Sequence, residues 1–269
     1  MTPAPHSAAP LLLFKASTND LAEDTARVDR GMALVTPTER REIMGYARED
    51  DRLRALLGRL LIRRAVSELV QCDHRLLELR RTGLGKPVLV HPVAPVTFSI
   101  SHHNHWVIIV ASTAFDVGCD LVSQHQSKEA YARIAAACLS PDEARMYITG
   151  DDTYPVSILW ALKESYLKAI GVGLQMDMQR LQFVMEDHQV PVVRSHLLET
   201  LGQLQFFVDN VLITDWDFRI CRIDDTHLAT AVFSPPLTRA AGMPNADTLS
   251  FTMLSSDAVL TYLASGSVP

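Results

Sequence analysis

The stretch WALKESYLKAIG, residues 160–171, is the segment around which the chain is organised, and its spacing predicts a single helix. Pro155 suits the start of that helix and Gly171 suits its end. Glu164 and Lys168 are four residues apart and therefore share one face. Taken alone, they are best explained as an ordinary ion pair worth a few tenths of a kcal/mol. Apolar residues at the spacing of one buried stripe are Leu159, Leu162, Tyr166, Leu167 and Ile170.

Composition limits the classes of protein to consider. The chain has 269 residues, of which 48% are apolar, so it can bury one substantial core or two smaller ones. With 25 basic against 31 acidic residues it lacks the positive excess of a nucleic-acid binder, so we expect no nucleic-acid partner. The apolar run Leu11–Phe14 is too short for a signal peptide, and no stretch approaches membrane-spanning length. We therefore expect a cytoplasmic protein without a membrane partner.

The four cysteines are far apart and include no C-x-x-C pair. This spacing favours neither a zinc knuckle nor a disulfide framework, so reduced and mostly buried thiols are expected. The four are Cys72, Cys119, Cys138 and Cys221.

Periodicity predicts helices and strands mixed along the chain, which is an α+β pattern. Ser140-Pro141-Asp142-Glu143 is a helix-initiating capping box. Pro235-Pro236 is expected to end the packed part, with one weak helix at residues 258–264 after it. Other predicted helices cover residues 51–72 and 127–138, and predicted strands cover 11–15, 88–90, 96–103, 106–111, 117–122, 181–185, 204–208, 215–223 and 227–233. The strands at 96–103 and 106–111 are expected to form a hairpin. The helix at 51–72 is expected to bury Leu53, Leu56, Leu57, Leu60, Leu61 and Val66.

Four arginines fall along one flank of the long helix predicted at residues 51–72, if that helix begins early. Such a row could bind phosphate groups. The alternative is a solvated row whose aliphatic stems cover the leucines, and composition favours that alternative. The four are Arg48, Arg52, Arg59 and Arg63.

Several polar residues are candidates for a site. Lys86 lies in a turn with two glycines and could contact an anion, although Pro87 excludes a Walker loop. Asp120 lies inside an apolar strand and needs a cation or a capped loop to offset its burial. Zinc is not favoured at the histidines, because an extended chain puts His102 on the face opposite His103 and His105. Two carboxylates, Asp120 and Glu164, among basic groups suit a phosphate substrate held by magnesium.

Four short motifs occur in one order along the chain. They are Arg81-Thr82-x-x-Gly85-Lys86-Pro87, Phe98-Ser99-Ile100-Ser101-His102, Val117-Gly118-x-Asp120 and Trp160-Ala161-Leu162-Lys163-Glu164-x-x-x-Lys168-Ala169-x-Gly171. Together they resemble the Sfp-type 4'-phosphopantetheinyl transferases, especially their broad-specificity eukaryotic group. The resemblance covers about residues 48–186.

The resemblance implies the fold of that family: two similar α/β subdomains in a pseudo-twofold arrangement, with coenzyme A between them. The implied subdomains are residues 1–122 and 123–240, followed by a tail at 241–269. The implied activity is that of a holo-[acyl-carrier-protein] synthase, which transfers the 4'-phosphopantetheine arm of coenzyme A to a serine of an apo acyl or peptidyl carrier protein and releases 3',5'-ADP. A monomer is expected. The alternative is a catalytically silent homologue that binds coenzyme A or carrier proteins, against which the intact Asp120, Glu164 and Lys168 argue.

The resemblance also implies roles for individual residues. Asp120 and Glu164 would hold Mg²⁺, and Glu164 would be the base for the serine proton, with Lys168 and His102 offsetting charge on the pyrophosphate. Lys163 points away from this face and is expected to be structural. At Val122, bacterial relatives carry a further acidic metal ligand, so water is expected there. The implied coenzyme A contacts are Arg48, Arg54, Arg81, Lys86, Ser99, Ser101, His102 and Lys168.

Overall fold

The computed structural model describes residues 10–124, 127–148, 150, 152–186, 189–237 and 248–266. Within them helices and strands are mixed along the chain, which confirms the α+β class. The helices are α1 (Asn19–Ala22), α2 (Thr25–Leu34), α3 (Pro37–Met44), α4 (Glu49–Val70), α5 (Lys128–Cys138), α6 (Pro141–Tyr147), α7 (Tyr154–Ile170) and α8 (Ser256–Ser265). The strands are β1 (Leu11–Ser17), β2 (Glu78–Arg81), β3 (Pro87–His91), β4 (Thr97–His103), β5 (Trp106–Ser112), β6 (Asp116–Ser123), β7 (Leu181–Met185), β8 (Glu199–Thr200), β9 (Leu204–Val208), β10 (Val211–Ile213), β11 (Asp217–Arg222), β12 (His227–Ser234) and β13 (Thr252–Met253).

The chain divides into two compact units. The first comprises the chain up to Arg81, then Pro87–Phe115 and the chain from Thr252 onward. The second comprises Thr82–Lys86 and Asp116–Phe251. The subdomain boundaries expected near residues 122 and 240 stay predictions.

In the first unit, α4 packs against a four-stranded sheet of order β13-β1-β5-β4. The predicted hairpin is confirmed, because β4 and β5 are antiparallel with Ser101 opposite Ile108. Strands β2 and β3 form a separate antiparallel pair. The predicted apolar stripe of α4 is buried in this core; its members are Leu53, Leu56, Leu57, Leu60, Leu61 and Val66.

The C-terminal segment is part of this first core. Strand β13 pairs in parallel with β1, and α8 buries Val259, Leu260 and Leu263 beside the leucines of α4. The expectation that the packed part ends at Pro235-Pro236 is therefore wrong. The apolar residues of this segment are few and lie among Ser, Thr and Ala, so their role depends on contacts with residues far away in the sequence.

The arginines of α4 link this helix to its neighbours. Arg63 is 2% exposed, donates to the carbonyl of His74 at 2.7 Å and pairs with Glu39 at 2.7 Å. Arg59 pairs with Glu42 at 2.6 Å. Both glutamates belong to α3, so the interpretation of a solvated row is wrong at Arg63, whose guanidinium is buried between elements.

In the second unit, α7 packs against an antiparallel sheet of order β6-β12-β11-β8. A second sheet has the order β10-β9-β7. The predicted ends of α7 are confirmed, because Pro155 lies in its first turn and Gly171 ends it with φ of 76°. Its stripe is buried except at Ile170, which is 39% exposed as the last helical residue, so that part of the prediction is wrong.

All four cysteines are free, and three of them are buried, as predicted. In the described part of the chain, no helix combines the length and the apolar character needed to cross a bilayer.

Candidate functional site

Helix α7 lies directly on strand β6 because residue 118 is glycine. A Cβ atom there would lie 1.9 Å from the carbonyl oxygen of Ser165 and 2.8 Å from the amide nitrogen of Ala169. Ser165 and Thr230 share a hydroxyl hydrogen bond of 2.6 Å, and Thr230 donates to the carbonyl of Ala161 at 2.9 Å. These contacts fix α7 against β6 and β12.

The close approach brings Asp120 of β6 to Lys168 of α7. Asp120 is 6% exposed, and its Oδ1 accepts a hydrogen bond from Lys168 Nζ at 2.6 Å. Lys168 is the cation that the burial of this carboxylate required. Burial lowers the pKa of Lys168, but the charge of Asp120 and further nearby groups outweigh this effect, so the pKa lies above its ordinary value. Lys168 is therefore a stable ammonium ion, and its ion pair crosses from helix to strand.

Glu164 completes a group of three charged side chains. It is half-buried on α7, one turn before Lys168. Burial raises the pKa of Glu164, the charge of Lys168 lowers it and the charge of Asp120 raises it again, with a net shift above the ordinary value. The three groups thus interact electrostatically, and Glu164 holds a proton more tightly than a solvated glutamate.

The donor set of this group suits a hard divalent cation. Asp120 and Glu164 supply carboxylate oxygens, the ligands that Mg²⁺ prefers, and Mg²⁺ commonly retains several waters. Across the described residues, no three or more His, Cys, Asp or Glu side chains are grouped so as to hold a metal ion. Asp120 and Glu164 are two such ligands, which fits a magnesium ion that is also bound by water and phosphate.

Lys86 lies at the C-terminal end of α7. Its Nζ donates to the carbonyl of Ala169 at 2.6 Å. The aliphatic stem crosses the helix end at Gly171, where a Cβ would lie 3.0 Å from Lys86 Cδ. Burial lowers the pKa of Lys86, and the charge of Asp116 only partly opposes this. The structure therefore joins Lys86 to the helix that carries Glu164 and Lys168.

A basic group lies around Asp51 in the first unit. Arg54 bonds Asp51 at 2.5 Å and also donates to the carbonyl of Asn104 at 2.7 Å. Arg48, immediately before α4, is 76% exposed at its side chain. The hydrogen bond from Arg54 lowers the pKa of Asp51, and the charges of Arg48 and His102 add to this effect. Three predicted coenzyme A contacts therefore act on one carboxylate, which the sequence analysis did not identify.

The remaining predicted contacts differ in exposure. Ser99 and Ser101 are each 5% exposed in β4, whereas His102 of the same strand is exposed. Arg81 is exposed at the end of β2. In this unit, His102 and the arginines are thus more accessible to an anion than the two serines.

Lys163 does not join the charged group, as expected. It is fully buried and pairs with Glu143 of α6 at 2.6 Å. The capping-box motif predicted a hydrogen bond from the Ser140 amide to Glu143, and this bond is present at 3.0 Å. No sequence signal connected Glu143 with Lys163, because the two residues lie in different helices.

Comparisons with known proteins agree with the motifs. Residues 24–114 match the family described as 4'-phosphopantetheinyl transferase, N-terminal, and residues 116–231 match the 4'-phosphopantetheinyl transferase superfamily. A phosphopantetheinyl transferase of Thraustochytrium sp. is 32% identical over 217 residues, which cover 75% of this chain and 70% of the relative.

Two further relatives have similar names. The human L-aminoadipate-semialdehyde dehydrogenase-phosphopantetheinyl transferase is 28% identical over 79% of this chain and 72% of its own length. The 4'-phosphopantetheinyl transferase Sfp of Bacillus subtilis is 28% identical over 61% of this chain and 73% of its own length. The resemblance inferred from the motifs is confirmed: the chain belongs to the 4'-phosphopantetheinyl transferases, enzymes that transfer phosphopantetheine to carrier proteins.

Proposed function

We propose that Asp120, Glu164 and Lys168 form the reacting centre of this transferase, with coenzyme A as donor and Mg²⁺ as metal. The observation that carries the proposal is the 2.6 Å bond between Lys168 Nζ and Asp120 Oδ1 beside the half-buried Glu164. Two carboxylates and one ammonium ion are thus concentrated at one contact between a helix and a strand. Such a set suits the transfer of a charged phosphoryl group.

Asp120 and Glu164 would hold the metal ion. When bound, Mg²⁺ supplies positive charge against the pyrophosphate oxygens of coenzyme A. Lys168 adds a second positive charge, and its raised pKa keeps that charge at neutral pH. His102, exposed at the end of β4, would offset further charge on the pyrophosphate.

The reaction is an attack by the serine hydroxyl of an apo acyl or peptidyl carrier on the β-phosphorus of coenzyme A. A bond forms between the serine oxygen and phosphorus, and the bond from this phosphorus to the bridging oxygen breaks. The electron pair leaves with 3',5'-ADP. Glu164 accepts the serine proton, directly or through a water molecule. Positioning and charge neutralisation supply most of the catalysis.

Basic side chains would bind the other phosphates and the adenosine. An ammonium group has three N–H donors, so the bond from Lys86 to Ala169 does not exhaust its capacity to bind phosphate. Arg54 has two partners already, Asp51 and the carbonyl of Asn104, and would bind a phosphate with the rest of its guanidinium. The proposed contacts are Arg48, Arg54, Arg81, Lys86, Ser99, Ser101, His102 and Lys168.

We also propose that the protein acts as a cytoplasmic monomer without nucleic-acid or membrane partners. The net charge of −6 supports the absence of a nucleic-acid partner, and the four free cysteines support the cytoplasmic location.

The test is to incubate the protein with coenzyme A, Mg²⁺ and an apo-carrier and to measure the mass of the carrier. Glu164→Gln and Asp120→Asn should each nearly abolish the mass increase while folding is retained, because each removes charge worth several kcal/mol in the transition state. The exposed helix residue Glu129 offers a matched control, and Glu129→Gln should transfer normally.

Two results would contradict the proposal. Wild-type turnover in Glu164→Gln or Asp120→Asn, with unchanged metal dependence, would exclude these residues from the metal site. An unchanged carrier mass with several carriers, from wild-type protein that still binds coenzyme A, would instead favour the silent homologue.

A further inference from the structure

A fully buried ion pair lies beside the proposed reacting centre. Lys163 and Glu143 both have 0% side-chain exposure, and Lys163 Nζ lies 2.6 Å from Glu143 Oε2. The same ammonium donates to the carbonyl of Cys138 at 2.7 Å and to the carbonyl of Met178 at 3.2 Å. Each of its three protons thus has an acceptor.

Glu143 is equally well bonded. Besides Lys163, it accepts from the amide of Ser140 at 3.0 Å and from the amide of Phe183 at 2.9 Å. The pair therefore ties α7 to the end of α5, the start of α6, the 3-10 turn Met178–Arg180 and strand β7. Buried charges are tolerated when hydrogen bonds satisfy them in this way.

Lys163 immediately precedes Glu164 on α7, so the buried ion pair can influence the position of Glu164. Successive residues of a helix are rotated by about 100°, so Glu164 projects between Lys163 and Ser165. On one side, Lys163 is held by Glu143 and two carbonyls. On the other side, the hydroxyl of Ser165 bonds to the hydroxyl of Thr230, and the carbonyl oxygen of Ser165 lies against Gly118. The helical turn that carries Glu164 is thus held on both sides.

We infer that Lys163 and Glu143 are positioning residues that set the rotation and height of α7 and thereby hold Glu164 in place beside Asp120 and Lys168. This inference rests on the proposed function, since it assigns Glu164 to the metal site. Replacing a buried ion pair by neutral groups of similar volume often leaves stability nearly unchanged. A pair that served stability alone could therefore be replaced without loss of activity.

The double variant Lys163→Met/Glu143→Gln removes both charges and nearly preserves the side-chain volumes. We expect it to fold, to bind Mn²⁺ about tenfold more weakly and to lose about tenfold or more in kcat, because misplacement by 1 Å can cost about 100-fold. The KM for coenzyme A should change less than kcat, because Lys168 is the one proposed coenzyme A contact that lies on α7. Mn²⁺ binding is measured directly by calorimetry, and kcat by the mass of the carrier.

The single variant Glu143→Gln is a milder change that keeps the lysine and both of its carbonyl acceptors. Its loss of Mn²⁺ affinity and kcat should lie between wild type and the double variant. A matched control is the buried pair Arg219–Asp217 of β11, with side chains 2% and 10% exposed. Arg219→Met/Asp217→Asn should leave both Mn²⁺ affinity and kcat unchanged.

Folded Glu143→Gln and double variants with wild-type Mn²⁺ affinity and kcat would overturn the inference. Failure of both to fold would overturn it too, because the pair would then serve the fold itself. The variant Glu164→Gln separates the metal-site proposal from the positioning role. If Glu164→Gln binds Mn²⁺ as wild type does, the proposed metal site is wrong. If Mn²⁺ binding is weaker in Glu164→Gln but not in the Glu143 and Lys163 variants, only the positioning role is overturned.

Discussion

Replacing Gly118 by alanine should separate helix α7 from strand β6. The new Cβ would lie 1.9 Å from Ser165 O and 2.8 Å from Ala169 N, and both atoms belong to the backbone. No side-chain rotation can relieve these contacts, so the helix or the strand must move. Ordinary contacts would require a displacement of roughly 1–1.5 Å at the closest point.

Both stability and activity should fall. Overpacking of a core commonly costs about 1–3 kcal/mol, and a clash of backbone with backbone belongs near the upper end, at about 3 kcal/mol. Glu164 moves with α7 whereas Asp120 stays with β6, so the two carboxylates separate by a similar distance. Misplacement of about 1 Å can lower the rate about 100-fold, which is the loss of kcat we expect in the folded variant.

Urea unfolding gives the free-energy change, and carrier modification at saturating coenzyme A gives kcat. Gly83→Ala is the matched control, because no atom lies within 4 Å of a Cβ at that turn residue. It should change stability by less than about 0.5 kcal/mol. The reasoning is refuted if Gly118→Ala unfolds at the same urea concentration as Gly83→Ala and keeps its kcat within about twofold.

Three other predictions concern the charged group. Lys168→Ala should lower kcat much more than coenzyme A affinity; near-normal kcat with slightly reduced thermal stability would indicate only an ion pair. In metal-free protein, burial holds the pKa of Glu164 above its ordinary value, so its carboxylate forms at higher pH than a solvated one. Lys168→Ala should raise the pKa of Glu164 further, and Asp120→Asn should lower it. The measurement is an NMR titration of Glu164. If neither variant shifts this pKa, the three side chains are not close together. Val122 is 5% exposed. Val122→Ala should leave the half-saturating Mg²⁺ concentration unchanged, whereas Val122→Glu should lower it because it adds a carboxylate ligand. If a folded, active Val122→Glu variant has the wild-type half-saturating concentration, residue 122 does not face the metal.

The sequence predicted elements where the signal was local. The Ser140 capping box, the limits of α7 and the hairpin of β4 and β5 were all found, because caps and strand alternation depend on residues within a few positions. Helices α1 to α3 and the short strands β2, β8, β10 and β13 were not predicted. Each carries too few residues for a clear periodic signal, and their stability comes from packing against distant parts of the chain.

The functional residues show the same limit. Four ordered motifs identified the family, because each motif is a short local pattern that can be recognised without knowledge of the fold. The burial of Asp120 could be inferred from its apolar strand, together with its need for a cation. Its partner could not be inferred, because Lys168 is equally well placed on α7 to pair with Glu164 at the spacing of one helical turn.

By itself, therefore, the sequence determined the α+β class, the limits of the central helix and the family of this enzyme. Only the tertiary structure decided that Lys168 reaches Asp120 across the contact at Gly118, and that Lys163 pairs with Glu143 in the core. The physical reason is that a local pattern specifies which face of an element is apolar, whereas the partner of a buried charge depends on which elements pack together. That choice arises from the summed contacts of residues far apart in the chain.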